Sequence, residues 1–311
     1  MKKVLVFGAA GFIGNALLRE LIRCGMEVTA VIPERNINET AAEMVRDTGA
    51  RIVECNLQDV KGNLGKRVTW DIDTCYFLAW DGLSNDGLND YSRQINNVIY
   101  MLDLMVEVHK LGCKKFIGSG SITQQELATE EGRAYLTDKH KYYRTAQQAC
   151  EEMGKCLALE LNMIFIWPLI TNIYGEGEKS PRFINTMLRK LLDGEDVPTS
   201  EGKQLYDFVY ISDAVKAFIK MGEHGKSNRK YIVGSGHPMQ LREFLQIVEK
   251  TVCKGGKIKY GKFSYSGVYF TDKEYDIGEL EEDTGYHIEV DFDTGVRNTA
   301  DWIERCGGYN G

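Results

Sequence analysis

Residues 1–14 read MKKVLVFGAAGFIG, an apolar run that ends in three glycines spaced as GxxGxxG. These are Gly8, Gly11 and Gly14, and a segment with helical apolar spacing, IGNALLRELIRCG, begins inside the motif. Glycines between a buried strand and a helix permit a tight turn and close packing of the helix on the strand. They also leave room for a pyrophosphate in front of the N–H groups at the helix start. The stretch therefore predicts a strand, a turn and a helix that together bind a dinucleotide.

The same alternation of apolar runs and helical segments continues along the first half of the chain. Further strand-like runs are EVTAVI (27–32), ARIVEC (50–55), DTCYFLA (73–79), KKFIGSG (114–120) and NMIFIWP (162–168). Strands that are apolar throughout and separated by helices are typical of a parallel sheet covered by helices on both faces. The sequence thus predicts an α/β fold built on a Rossmann-type doubly wound parallel sheet.

The pattern becomes less regular after residue 170, where glycine-rich turns multiply and short strand-like pieces alternate with helices. We expect residues 1–170 to form an NAD(P)-binding Rossmann domain, to which residues 205–234 return. A smaller C-terminal α/β lobe, formed by residues 171–204 and 235–311, is expected to bind the substrate. No repeat or low-complexity linker separates the two parts, which indicates that they share one core.

Composition argues against several other classes of protein. The chain has 38 Lys and Arg against 45 Asp and Glu and no basic run that follows a phosphate backbone, so nucleic acid is not an expected partner. No apolar run reaches the roughly 18 residues that a membrane span requires, and no signal-peptide pattern occurs, which favours a cytoplasmic protein. The cysteines are scattered without a CxxC pair, so we expect reduced thiols and no metal site.

Several further motifs follow the glycine turn in a fixed order. They are FLAW (77–80), FIGSGS (116–121), TNIYGEGE (171–178), YDFVYISDAVKAF (206–218), YIVGSGHPMQLREF (231–244) and GVRNTADWIE (295–304). This order resembles the extended short-chain dehydrogenase/reductase superfamily, in its NAD-dependent epimerase/dehydratase branch, over essentially the whole chain. The resemblance implies an enzyme that uses NAD or NADP and acts on a nucleotide-diphosphate sugar.

Members of that family carry out their chemistry with a Ser or Thr, a Tyr and a Lys. The resemblance assigns these roles to Ser121, at the end of GSGS, and to Tyr143, and it matches Asn97 to the family's structural asparagine. The lysine normally follows the tyrosine by four residues, one helical turn on, and lowers the tyrosine pKa from its ordinary value of about 10. In the stretch YYRTAQQACE (142–151) that position is Gln147, which carries no charge.

Because Gln147 is uncharged, the sequence leaves open which tyrosine is the acid/base and which residue supplies the positive charge. If the preceding tyrosine, Tyr142, were the acid/base, the lysine position would fall on Ala146, which is equally uncharged. Lys139 and Lys141 lie just upstream and are candidates for the missing positive charge. Gln147 is still able to hydrogen-bond a ribose hydroxyl. We therefore expect an active enzyme, with a catalytically weakened or silent NAD(P)-binding protein as the alternative.

The resemblance also implies a set of cofactor contacts. They are Gly8, Gly11, Phe12, Ile13, Gly14, Asn56, Leu57, Leu78, Ala79, Trp80, Tyr143 and Pro168. The choice of dinucleotide depends on residues about 20 positions beyond the glycines, where a carboxylate binds the ribose of NAD or an arginine binds the 2′-phosphate of NADP. Glu34 and Arg35 both lie near that distance. Because the second strand ends in the apolar Ile32 and Pro33, we favour NADP, bound through Arg35.

The residues after Ser121 indicate which reaction to expect. The family's 4,6-dehydratases carry Asp-Glu there, whereas this chain has Ile122 and Thr123. The resemblance therefore implies reduction of a 4-keto sugar or 4-epimerisation, and not dehydration. The polar and basic residues expected to contact the substrate are Ser121, Asn172 and Arg182, with Lys203 and Arg242 as weaker candidates.

The substrate class and the oligomeric state are less closely determined. A reductase of a non-sugar carbonyl is a further alternative, because related chains handle such substrates, although the motifs of the second lobe argue against it. Many relatives pair through two long helices, which are predicted here at residues 91–111 and 137–160. We accordingly expect a homodimer.

Overall fold

The computed structural model describes residues 1–34, 39–129, 140–253 and 255–306. Its architecture is α/β with a six-stranded parallel sheet, so the predicted fold class is confirmed. Arg35 and Lys139 lie outside the described residues, and nothing further is said of their structure. In the part of the chain that is described, no helix combines the length and apolar character needed to cross a membrane.

The main sheet consists of parallel strands buried between helices. Its strands are β1 (Lys3–Phe7), β2 (Glu27–Ile32), β3 (Arg51–Glu54), β4 (Thr74–Phe77), β5 (Lys115–Ile117) and, after a short β6, β7 (Ile164–Ile166). Their order across the sheet is β3-β2-β1-β4-β5-β7. Strands β2 and β3 are added on one side of β1, and β4, β5 and β7 are added on its other side. This switch in strand order opens a crevice between β1 and β4 at the carboxyl ends of the strands.

Helices cover the main sheet and build most of the second lobe. The described α-helices are α1 (Phe12–Arg23), α2 (Glu39–Arg46), α3 (Leu64–Arg67), α4 (Asn85–Leu88), α5 (Tyr91–Lys110), α6 (Lys141–Leu161), α7 (Phe183–Leu192), α8 (Ile211–His224), α9 (Leu241–Val252), α10 (Gly278–Thr284) and α11 (Phe292–Arg305). Helix α5 packs along α6, and α1 packs against α8. The Tyr76 hydroxyl in β4 donates to the carbonyl of Phe218 in α8 at 3.0 Å, which attaches that later segment to the main sheet. The division into two domains stays a prediction.

Short strand pairs and an aromatic cluster organise the chain after β7. The strands are β8 (Leu169–Ile170), β9 (Asn172–Tyr174), β10 (Val197–Pro198), β11 (Leu205–Tyr206), β12 (Phe208–Tyr210), β13 (Ile232–Val233), β14 (Met239–Gln240) and β15 (Ile258–Lys259). Strand β9 pairs in parallel with β12. Helices α7, α9 and α11 pack together, and the ring of Phe244 lies 4.9 Å from Phe208 and 4.6 Å from Phe292, measured between centroids. These rings form the core of the lobe.

The apolar run at residues 114–120 does not form one strand as predicted. It is divided into β5 and a separate strand, β6 (Gly120–Ser121), which pairs with β8. The N–H of Gly118 still bonds to β7, whereas the N–H of Gly120 bonds to the carbonyl of Pro168. The backbone therefore changes partner between the two glycines and leads Ser121 out of the main sheet.

Candidate active site

The glycine turn between β1 and α1 is required by close contacts of the backbone. Gly8 has a φ of +93°, and a Cβ at this position would lie 2.7 Å from the backbone nitrogen of Ala79. A Cβ at Gly14 would lie 2.1 Å from the carbonyl oxygen of Gly8. Gly11 differs, because its Cβ would meet only that same oxygen at 3.4 Å. The fold thus demands two of the glycines, and the third keeps the space before the helix open.

The start of α1 has the features of an anion-binding site. Gly11 precedes the helix and provides no side-chain cap, so the first N–H groups, from Phe12 onward, are available to a ligand. A cleft of about 510 Å³ adjoins this helix start and is bordered on its other side by Gly177 and Ser180 of the second lobe. The predicted contacts Phe12 and Ile13 are half-buried there. A pyrophosphate fits the donors and the space that these residues provide.

At the ends of β2 and β3, polar side chains bond to one another. Asn56 accepts the N–H of Glu34 at 3.0 Å and donates to Asp59 at 2.9 Å, next to the half-buried Leu57. The carboxylate of Glu34 forms an ion pair with Arg67 at the end of α3. Glu34, one of the two residues considered for the ribose, therefore has its charge balanced by a residue that the sequence did not single out.

Ser121 and Tyr143 lie together beyond the carboxyl ends of the strands. Ser121 ends β6 and caps a 3-10 helix, Ile122–Ala128, and its hydroxyl lies 2.9 Å from that of Thr123. The Ser121 hydroxyl lies near enough to the phenol of Tyr143 to lower its pKa. The ring of Tyr143 meets the ring of Trp80 edge to face, at 5.6 Å between centroids. The two residues expected to act on a reacting oxygen are thus close to each other.

Tyr143 remains a proton donor at neutral pH. Burial raises its pKa above the ordinary value, while the nearby Ser121 hydroxyl and the positive charge of Arg182 act in the opposite direction. Arg182 precedes α7 in the second lobe and pairs with the buried Glu178 at 2.5 Å. Because the net change is upward, the phenol is protonated at neutral pH and able to donate its proton to a ligand.

Gln147 lies one turn beyond Tyr143 with a buried, unsatisfied oxygen. The side chain is 1% exposed, and among the described residues its Oε1 has no hydrogen-bond partner. An acceptor buried in this way costs about 1–3 kcal/mol, which a ligand hydroxyl recovers by donating to it. The unsatisfied oxygen fits a ribose hydroxyl of a bound dinucleotide.

Tyr142 and Lys141, at the start of α6, lie on its outer side. Tyr142 is 38% exposed and meets the ring of Tyr91 at 6.0 Å, and the Lys141 ammonium lies 5.1 Å from the centroid of the Tyr142 ring. The structure therefore brings Tyr143, and not Tyr142, close to Ser121. Lys141 is directed to the exposed side, and the other candidate cation, Lys139, lies outside the described residues.

Asn97 holds the loop that follows β4. It is fully buried, accepts the N–H of Asp81 at 2.9 Å, and donates to the carbonyls of Asp81 and Arg93 at 2.9 and 3.1 Å. In the same loop, the Trp80 indole donates to Gln94 at 2.9 Å. These bonds fix the segment that contains Leu78, Ala79 and Trp80. Asn97 thus supports the ring that contacts Tyr143.

The remaining predicted residues lie after β7 in the chain. Pro168 is buried after β7, and the amide of Asn172 donates to the carbonyl of Asp207 at 3.0 Å. Arg242 lies over the ring of Tyr260, 4.4 Å from its centroid, and Lys203 is exposed. The structure groups Arg182 with Ser121 and Tyr143. The assignment of all these residues to cofactor or substrate stays a prediction.

A model of the NAD dependent epimerase/dehydratase family matches residues 4–234. The chain belongs to this family. It is 27% identical to CDP-abequose synthase from Salmonella muenchen over 267 residues, and this alignment covers 84% of each chain. It is 24% identical to dTDP-4-dehydro-6-deoxy-D-allose reductase from Streptomyces bikiniensis, over 97% of this chain and 96% of that one. The crystal structure of UDP-glucose 4-epimerase from Thermotoga maritima covers 98% of this chain and 99% of its own, at a TM-score of 0.79 and 21% identity.

Two charged contacts of this epimerase/dehydratase family member are not visible in its motifs. Arg67 reaches Glu34 across 33 positions of the chain, and no local pattern indicates such a pair. Glu178 pairs with Arg182 four residues on, within the quoted TNIYGEGE segment and its continuation. The i, i+4 spacing of opposite charges was a signal for the second pair, although the residues are not in a helix.

Gly11→Val is expected to weaken dinucleotide binding without unfolding the protein. The added side chain does not clash severely with the surrounding backbone, yet it fills the region in front of α1. Fluorescence titrations with NADH and NADPH are expected to show a loss of affinity on the order of tenfold or more, equivalent to about 1.4 kcal/mol. Gly14→Ala is the contrasting variant, because its Cβ clashes with Gly8 and is expected to lower the melting temperature as well as the affinity. Unchanged affinities in folded Gly11→Val contradict the assignment.

Tyr143→Phe is expected to remove turnover, because it deletes the phenol hydroxyl near Ser121 that we expect to donate the proton. The loss of kcat is expected to be on the order of a hundredfold or more, as for other general acids. Tyr142→Phe deletes a hydroxyl on the exposed side of the same helix and is expected to leave kcat unchanged. Reduced-dinucleotide absorbance follows both variants. Loss of turnover in Tyr142→Phe but not in Tyr143→Phe would contradict this expectation and assign the acid/base role to Tyr142.

Proposed function

We propose that the protein is an NAD(P)-dependent oxidoreductase that acts at C4 of a nucleotide-linked sugar, in the direction of 4-keto reduction. The observation that carries the proposal is the proximity of the Ser121 hydroxyl to the phenol of Tyr143, whose pKa is raised by burial. Reduction of a ketone needs a proton donor at the oxygen, which a neutral phenol supplies. The names of the two relatives, a CDP-sugar synthase and a dTDP-sugar reductase, support the same substrate class.

Each residue of the site has a separate role in the reduction of the ketone. When bound, the reduced dinucleotide supplies a hydride to C4. The Ser121 hydroxyl donates a hydrogen bond to the ketone oxygen, and Tyr143 transfers its proton to that oxygen as the alcohol forms. The positive charge of Arg182 stabilises the phenolate that remains until a proton returns from solvent. Gln147 accepts a hydrogen bond from the nicotinamide ribose through its buried Oε1.

Elimination of water is not part of the proposal. The positions after Ser121 hold Ile122, which is buried, and Thr123, whose hydroxyl lies against Ser121. Further along the same 3-10 helix, Glu126 forms an ion pair with Arg144. No carboxylic acid therefore stands at the two positions where the family's 4,6-dehydratases place their acid and base.

The choice between NAD and NADP stays a prediction. We propose NADP through Arg35, and the ion pair between Glu34 and Arg67 is the competing feature, because a fixed carboxylate at the end of β2 suits NAD. The ratio of the NADH and NADPH affinities of the unmodified protein, measured as the reference for Gly11→Val, decides between them.

A panel of substrates tests the reaction. We expect CDP- or dTDP-linked 4-keto-6-deoxyhexose to oxidise the reduced dinucleotide, and ordinary nucleotide-hexoses to yield no 4-keto-6-deoxy product. Chromatography of the nucleotide sugars measures both. Dinucleotide binding without turnover on any nucleotide sugar would favour the silent binder, and turnover of simple ketones alone would favour a non-sugar carbonyl reductase. Release of water from a nucleotide-hexose contradicts the reading of Ile122 and Thr123.

Gln147→Lys is expected to change the pH dependence in opposite ways for the two directions. Reduction needs the phenol, so its rate is lost as pH rises through the pKa of Tyr143, whereas alcohol oxidation needs the phenolate and gains rate there. A cation one turn away lowers a pKa by about 1–3 units. We expect faster oxidation near neutral pH and an earlier alkaline loss of reduction, measured as kcat against pH. Gln147→Met, which adds no charge, is the control, and identical profiles for the lysine variant and the parent contradict the account.

We also propose that the protein is a homodimer through α5 and α6. Tyr91, Ile95 and Ile99 are exposed on successive turns of α5, and Tyr142 and Met153 are exposed on the adjoining α6. Apolar side chains that continue across two packed helices form a surface suited to a second copy of the same chain.

Charge placed on this surface is expected to separate the dimer. Ile95→Glu combined with Ile99→Glu buries two carboxylates in the proposed interface, so light scattering is expected to give the mass of one chain instead of two. Phe263→Glu is the control, because Phe263 is similarly exposed in the second lobe. A parent protein with the mass of one chain would overturn the proposal.

A further inference from the structure

Gln124 lies inside the protein, three residues after Ser121, and uses its amide for three hydrogen bonds. Its Oε1 accepts the backbone N–H of Ser121 at 3.0 Å and the indole N–H of Trp167 at 3.0 Å. Its Nε2 donates to Glu151 at 3.0 Å. Gln124 is 2% exposed. The amide has one orientation, because both groups at Oε1 are donors and a carboxylate is an acceptor.

The three partners belong to three separate parts of the candidate site. Ser121 provides the hydroxyl that lies near the phenol of Tyr143. Trp167 directly precedes Pro168 at the end of β7. Glu151 lies two turns after Tyr143 on the same face of α6, since residues four apart in a helix are neighbours. A single buried amide thus ties the serine, the tyrosine helix and the strand end to one another.

The glycines of the GSGS motif make room for this arrangement. A Cβ at Gly118 would lie 2.1 Å from the ring of Trp167. A Cβ at Gly120 would lie 2.5 Å from the indole nitrogen and 2.7 Å from Oε1 of Gln124. The motif therefore serves the contact between the indole and the amide, as well as ending the strand.

We propose that Gln124 is a positioning residue that sets the alignment of the Ser121 and Tyr143 hydroxyls, and so the proton transfer to the substrate. This rests on the proposed function of those two residues. An apolar side chain of the same size fills the space but fixes neither the serine backbone nor α6. Proton transfer is sensitive to alignment, and a displacement of about 1 Å costs on the order of a hundredfold in rate.

Helix capping is the simpler role that a test must separate. A Gln three residues after a capping Ser forms a capping box, in which the side chain bonds to the serine N–H alone. Gln124→Glu preserves that cap but places a second carboxylate beside Glu151. Two carboxylates about 3 Å apart share one proton, because both cannot be ionised. Because Lys155 bonds to Glu151 at 2.7 Å, we expect the shared proton to reside on the new Glu.

Other charges around these elements are already paired. Glu126 and Arg144 form an ion pair between the 3-10 helix and α6, and Lys155 also contacts Glu152. The shared proton of Gln124→Glu is therefore expected to leave as pH rises. The bond to Glu151 is then lost, and repulsion between the two carboxylates displaces residue 124 together with the N–H groups of Ser121 and Trp167 that it accepts. The combined variant Gln124→Glu with Glu151→Gln restores one donor opposite one carboxylate and removes the pH dependence.

The experiment compares the parent, Gln124→Glu and the combined variant between about pH 6 and about pH 9, a range that brackets the raised pKa of a shared carboxylate proton. The indole N–H resonance of Trp167 is identified by its loss in Trp167→Phe, among the four tryptophans of the chain. We expect it to titrate in Gln124→Glu and to stay constant in the other two proteins. For reduction of the keto sugar, we expect kcat of Gln124→Glu to fall on the order of tenfold or more over this range, with KM unchanged.

The two readouts separate failure of this proposal from failure of the proposed function. The resonance needs no turnover, so a titrating indole in Gln124→Glu and a constant one in the combined variant support the network even if no nucleotide sugar is reduced. Where the parent is active, a kcat of Gln124→Glu that is independent of pH, or a combined variant that does not recover it, overturns the positioning role. An indole that does not titrate in Gln124→Glu leaves capping alone and also overturns it.

Discussion

The close approach of α1 to the strands at its back is the constraint from which the rest of the site follows. No Cβ fits at Gly14 against the carbonyl of Gly8, or at Gly8 against the backbone after β4. These contacts fix the uncapped start of α1 beside the carboxyl ends of β1 and β4. Trp80, in the loop after β4, then meets the ring of Tyr143. One set of backbone contacts thereby relates the dinucleotide turn to the proton donor.

The absence of a cation at residue 147 changes the chemistry that the site favours. A lysine there would support the phenolate, whereas Gln147 provides only a buried oxygen for a ligand. Burial raises the pKa of Tyr143, and the charge that opposes this comes from Arg182 in the second lobe. The acid/base residue therefore depends on both lobes for its electrostatics. A neutral phenol suits reduction of a ketone, which consumes a proton, better than oxidation of an alcohol.

Most of the fold was predictable because its strands are short apolar runs and its turns contain glycine. The run at 27–32 coincides with β2, and the serine and tyrosine of the motifs do lie close to each other. The run at 114–120 was wrongly predicted as one strand. An apolar pattern alone does not show that the backbone changes its hydrogen-bond partner near Gly118. The ion pair of Arg67 with Glu34 and the hydrogen bond of Gln124 to Glu151 were not predictable either. Each joins two segments that are far apart in the chain, so no local sequence pattern indicates it.

Transfer of hydride to C4 of the sugar is the central claim, and isotope transfer tests it most directly. A CDP- or dTDP-linked 4-keto-6-deoxyhexose is reduced with NADH or NADPH in which both hydrogens at C4 of the nicotinamide are replaced by deuterium, and the product is examined by NMR and mass spectrometry. The account predicts one deuterium at C4 of the sugar and none elsewhere. Deuterium at another carbon, or a product without deuterium, would contradict it.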